Sequence, residues 1–158
     1  MNPIGAIIVA SFAVFWVAAG THELRRRMFL SELTVSVLIS VALIFAAIRI
    51  PPGTGPGFDG KIYGIVVTLE VVTIAVAATL LNRAGVKQYL IPVIAFIVGT
   101  HFFGMVTALH SNEFWWVGGA MCLLPILTLS FLSHNLWAPV VGVGCAIILW
   151  LSVIFGFR

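Results

Sequence analysis

Charge is scarce in this chain. Eight Lys or Arg and five Asp or Glu are spread over 158 residues. The charged fraction is 8%, where a soluble domain carries about 25%. So few charged side chains do not cover a water-facing surface, and that excludes a soluble globular enzyme, a disordered tail and a nucleic-acid module. Cysteine is also sparse. Cys122 and Cys145 both lie inside apolar runs, so neither a secreted disulfide framework nor a CxxC redox or zinc motif is present. Residues 114 to 157 contain no Asp, Glu, Lys or Arg at all.

What remains is apolar: 61% of residues are hydrophobic and the mean hydropathy is +1.18. The apolar runs are continuous, without the two-residue alternation of a membrane barrel. In hydrocarbon every backbone polar group needs an internal partner, which leaves helices. The expectation is an all-α transmembrane bundle forming one integral-membrane domain over residues 1–158. Since about 20 apolar residues cross a bilayer, six spans fit, at about 3–20, 29–50, 62–81, 89–109, 114–132 and 136–157. Five spans is the alternative. The charge-free segment divides at Ser133-His134-Asn135, and residues 51–60, dense in Pro and Gly, form the one long loop. Met1-Asn2-Pro3 precedes the first apolar core and the basic cluster follows it. A secretory signal has the opposite order, so the first run reads as a retained span.

Orientation follows the basic residues. Arg25, Arg26, Arg27, Arg83 and Lys87 fall on one side, and Arg49, Lys61 and Arg158 on the other. The positive-inside rule then puts both termini and the 51–60 loop outside, in a multi-pass protein of the plasma or inner membrane. Gly20-Thr21-His22 recurs as Gly99-Thr100-His101. An inverted repeat would produce such a match, but little else aligns at that offset.

Two ionisable residues fall deep within spans. Glu70 lies eight residues from the outer end of the third run and His101 eight from the outer end of the fourth. Each is therefore about 12 Å deep at 1.5 Å per residue. The two runs are consecutive and antiparallel, so a pair is expected between them. A lone charge at a span centre costs about 2.5–3.5 kcal/mol on insertion scales, and such residues mark proton, ion or substrate pathways. Thr73 and Tyr63, at i+3 and i−7 from Glu70, extend a polar side of the third helix. Gly104 leaves room beside the imidazole, and Phe102 next to His101 is a candidate lining residue for an apolar ligand.

Arg49, Asp59, Lys61, His110 and Glu113 gather at the outer mouth. His110 and Glu113, three apart, supply two metal-ligand types, but two ligands do not make a site and a solvated rim is the expectation. Only His101 is deep among the histidines, which argues against a bis-His haem. No metal or other cofactor is expected. Glu32 is placed to contact Arg25–Arg27 or to cap the second helix. Trp115, Trp116, Trp137 and Trp150 read as an aromatic belt. The pairs Ala6/Ala10, Ser36/Ser40 and Gly142/Ala146, with Gly118 and Gly119, mark places of close helix approach, and Pro125 and Pro139 are candidate kinks.

The functional expectation is a small transporter- or channel-like protein with a midplane polar site at Glu70 and His101. That site would be proton- or cation-coupled, or would bind a small molecule. The alternative is a membrane ligand-binding or sensor subunit that does not itself transport. A lipid-modifying enzyme is the least supported reading, because no nucleophile–base pair or His-box is present. The expected partners are the lipid bilayer, a small molecule or ion, and a second copy of the chain; nucleic acid is not among them.

Overall fold

A computed structural model describes residues 3–22, 26–49 and 59–156. Glu23, Arg25, Arg158 and most of the Pro/Gly loop lie outside the described residues. Within them the fold is all-helical: α1 (Pro3–Thr21), α2 (Arg26–Arg49), α3 (Gly60–Arg83), α4 (Leu90–Leu109), α5 (Glu113–Phe131) and α6 (Trp137–Gly156). Helices α2 to α6, with α4 and α6 each preceded by a short 3₁₀ turn, are long and apolar enough to cross a membrane, and α1 contributes a shorter apolar helix, Gly5–Thr21. The protein is an integral membrane protein with an all-α bundle fold.

By packing, the chain forms two compact units. One comprises residues 1–55 and 142–158, the other 56–141. The boundary falls inside α6, between Val141 and Gly142. No Gly/Ser-rich or charged linker marks it, because a helix can pass from one packing group to another without any change in composition.

In the first unit the small residues do the packing. Ala6, Ala10 and Ala13 of α1, Ser36 and Ser40 of α2, and Ala146 of α6 are all buried. A Cβ added to Gly142 would lie 2.6 Å from both Gly20 Cα and the Trp16 carbonyl oxygen, so α1 and α6 touch backbone to backbone there. Ser40 donates to the Ala10 carbonyl at 2.9 Å and accepts from Trp150 Nε1 at 3.0 Å, which joins three helices through one hydroxyl. Trp150 thus serves as an internal donor rather than a member of the belt expected from its position.

In the second unit α3 and α4 form an antiparallel hairpin. Its turn is closed by Ala84 N–H to Leu80 O (2.9 Å) and Val86 N–H to Leu81 O (3.1 Å), with Gly85 at φ +72°. That left-handed conformation favours glycine. A 3₁₀ turn, Lys87–Tyr89, leads into α4. At the opposite end Asp59 caps α3, accepting from Lys61 N–H at 3.0 Å and Ile62 N–H at 3.1 Å. Its own N–H donates to the Ala108 carbonyl of α4 at 2.9 Å. The hairpin is tied at both ends.

Helix α5 packs on the other side of α4. A Cβ at Gly118 would lie 2.9 Å from the Gly99 carbonyl oxygen, and one at Gly99 only 2.7 Å from Cys122 Sγ. Pro125 lies within α5 without ending it. Pro139 falls in the first turn of α6, where a missing N–H has no intrahelical partner to lose. Trp137 Nε1 donates to the Leu132 carbonyl at 3.0 Å, and the Tyr89 ring lies 5.1 Å from that of Trp137.

Candidate functional site

Glu70 lies ten residues into the 24-residue α3, and His101 lies near the middle of the 20-residue α4. The capped hairpin sets their register. With Asp59 tied to Ala108 at one end and a three-residue turn at the other, the two helices bring positions 70 and 101 to the same level. There the imidazole Nδ1 stands 3.1 Å from Glu70 Oε2. The side chains of His101 and Glu70 are 9% and 11% exposed, which leaves the pair almost closed off between the two helices.

The approach is short but off the line of a hydrogen bond, so Nδ1 has no directed partner. The Val66 backbone carbonyl, one turn before Glu70, faces the imidazole as a hydrogen-bond acceptor. The ring meets Phe102 edge-on at 5.8 Å. Phe102 is itself buried and stacks on Phe114 of α5, with centroids 5.7 Å apart and planes 17° from parallel. A carboxyl and an imidazole held this way in an apolar seam can take up and release a proton as a coupled unit.

The seam between α3 and α4 follows a four-residue step on α3, through Val66, Glu70 and Ile74, which are half-buried. Thr73 points elsewhere: it is exposed, and its hydroxyl donates to the Leu69 carbonyl at 2.7 Å. Tyr63 is half-buried in the first turn of α3. The room expected beside Gly104 is occupied. A Cβ there would lie 2.9 and 3.0 Å from the two methyl groups of Val66. Val66 is thus a site residue that the sequence reading passed over; its i−4 spacing from Glu70 is the signal that places it on the same face.

Five other hydroxyls of this unit bond to their own helices. Thr68 donates to Gly64 O, Thr79 to Ala75 O, Thr100 to Ile97 O, Thr128 to Leu124 O and Ser130 to Ile126 O, all at 2.7–2.8 Å. Such back-bonding satisfies a hydroxyl in an apolar setting without a partner helix.

The rim residues do not assemble into a metal centre. Asp59 spends a carboxylate oxygen on the α3 cap. His110 is exposed and ends α4 in a left-handed conformation, φ 49°. Glu113 is half-buried in the first turn of α5, where a carboxylate suits the helix dipole. Arg49, in the first unit, holds its guanidinium 4.9 Å from the Phe45 ring centroid. Among the described residues no group of three His, Cys, Asp or Glu is placed to hold a metal ion. Glu32 Oε2 is buried without a hydrogen-bond partner, on the same stripe of α2 as Ser36 and Ser40.

No family model matches the chain, and no match is found among curated proteins or solved structures.

Proposed function

We propose that this membrane protein is transporter- or channel-like and works through the Glu70–His101 pair. The observation that carries the reading is the 3.1 Å approach of two ionisable side chains midway along two adjacent apolar helices. A carboxyl and an imidazole add nothing to an apolar bundle that a pair of leucines would not supply at lower cost. Their presence is accounted for if one partner changes protonation or binds a cation during a working cycle. In this reading the chain lies in the plasma or inner membrane with both termini outside, as the Arg25–Arg27 cluster, Arg83 and Lys87 indicate.

The test is reconstitution into proteoliposomes with flux followed across an imposed pH gradient. Glu70→Gln and His101→Ala are each expected to abolish pH-dependent flux. Flux unchanged in both variants would remove the pair from the mechanism. A second reading, a ligand-binding or sensor subunit without transport, is favoured by one observation. The hydroxyls of Thr68, Thr79 and Thr100, above and below the pair, donate to their own helices and do not chain toward it. A pair that titrates in the bilayer without supporting flux would establish that reading instead.

A further inference from the structure

We infer that the Glu70–His101 site takes a proton and no larger cation, and that Val66 enforces this by filling the space beside the imidazole. The inference rests on the reading above and names the species that the site handles.

Geometry supplies the first argument. Gly104 is the one small residue a turn from His101 on the side facing α3, and the Val66 methyl groups take up the space that a Cβ on it would need, 2.9 and 3.0 Å from that position. A bound cation needs room next to the carboxylate. Here the seam is closed by a branched side chain whose χ1 is stiff, and both members of the pair are about nine-tenths covered.

Coordination supplies the second. A hard cation takes about six oxygen ligands. The site offers one carboxylate and one imidazole, and the nearest α3 hydroxyls, Thr68 and Thr73, are turned to the Gly64 and Leu69 carbonyls. A proton needs only one acceptor atom, and the Glu70 carboxylate and His101 Nδ1, 3.1 Å apart, can each supply it.

Charge supplies the third. From Glu70 carboxylate beside neutral His101, net charge −1, uptake of one proton gives a net-neutral pair, with the proton on either group. No bond other than N–H or O–H forms, and release reverses the step. The titratable groups of the surrounding elements are few. Helix α4 presents His101 to Glu70, and the 3₁₀ turn before it carries Lys87 and Tyr89 at the far end of the hairpin. On the opposite side of α4, α5 brings Cys122, whose Sγ lies 3.7 Å from the Phe96 carbonyl, and Glu113 in its first turn.

The experiment is an infrared titration of the full chain in phosphatidylcholine bilayers, with Glu70→Gln used to identify the Glu70 carboxyl band. The protonated band is expected to fall as pH rises, and to stay unchanged when sodium chloride or methylammonium chloride is added at constant pH. Val66→Ala opens the seam and is expected to make the band sensitive to methylammonium. Loss of the wild-type band on addition of either cation overturns the inference. So does a Val66→Ala variant that titrates as wild type and ignores methylammonium. The titration needs no transport, so a normal pH response without flux would refute the transporter reading alone. Cation-sensitive flux that depends on Glu70 would refute the proton inference alone.

Discussion

Trp150 and Ser40, 110 positions apart in sequence, share a hydrogen bond of 3.0 Å, and the same hydroxyl donates to the Ala10 carbonyl. Between apolar helices, where no hydrophobic force separates right from wrong packing partners, such a bond selects the arrangement. Ser40→Ala is expected to lower stability by about 0.5–1.5 kcal/mol. Trp150→Phe is expected to cost a similar amount, and the two losses should not add. Ser36→Ala removes a hydroxyl bonded within its own helix, to Leu33 O, and should change little. Reversible unfolding in mixed detergent micelles measures all three.

Gly142 is expected to be the least replaceable glycine. Alanine there meets backbone atoms of Gly20 and Trp16 at 2.6 Å, which cannot swing aside as a side chain does. Overpacking of this kind costs about 1–3 kcal/mol. Gly64 and Gly119 have nothing within 4 Å of an added Cβ, and helix propensity predicts a gain of up to about 1 kcal/mol for alanine at either. Melting of Gly142→Ala beside Gly64→Ala and Gly119→Ala separates the two effects.

Asp59 is expected to matter as a cap rather than as a ligand. Asp59→Ala leaves the Lys61 and Ile62 amides without their acceptor and should cost about 0.5–2 kcal/mol, while Asp59→Asn should retain most of the cap. Amide hydrogen exchange at positions 61 and 62 is the direct readout: faster in the alanine variant, near wild type in the asparagine one.

The Glu70–His101 contact should appear as a coupling energy. In a double-mutant cycle with Glu70→Gln and His101→Ala, interhelical polar pairs in membranes average about 0.6 kcal/mol and reach about 1.7. A value in that range is expected from unfolding in bicelles. Additive losses would mean that the two groups stand close without sensing each other.

The helices were the easy part of the sequence. Long apolar runs with charges at their ends reveal themselves by composition, and counting from those ends puts Glu70 and His101 at one depth. Facing is harder, because depth is a count along an axis and facing depends on which neighbour a helix meets. Thr73 and Ile74 flank the seam at i+3 and i+4 from Glu70, and only packing against α4 decides that Ile74 turns inward. Gly104 misled for a related reason: a missing side chain signals room only until the opposite helix is known, and here Val66 fills it. Trp150 looked like an interfacial tryptophan because its partner, Ser40, is remote in sequence. The division within α6 left no mark at all, since both parts of that helix are equally apolar.

The back-bonded hydroxyls also bear on how the chain enters the bilayer. Thr68, Thr73, Thr79 and Thr100 carry their hydrogen bonds with them, so none requires a partner helix at the moment of insertion. Glu70 does. A charged residue at mid-span resists leaving the translocon by roughly 2.5–3.5 kcal/mol, and His101 is the group that meets it. Since only the tight turn at Gly85 separates their helices, α3 and α4 are suited to partition into lipid together as one hairpin. The order of biogenesis is thus written into the short turn that joins α3 to α4.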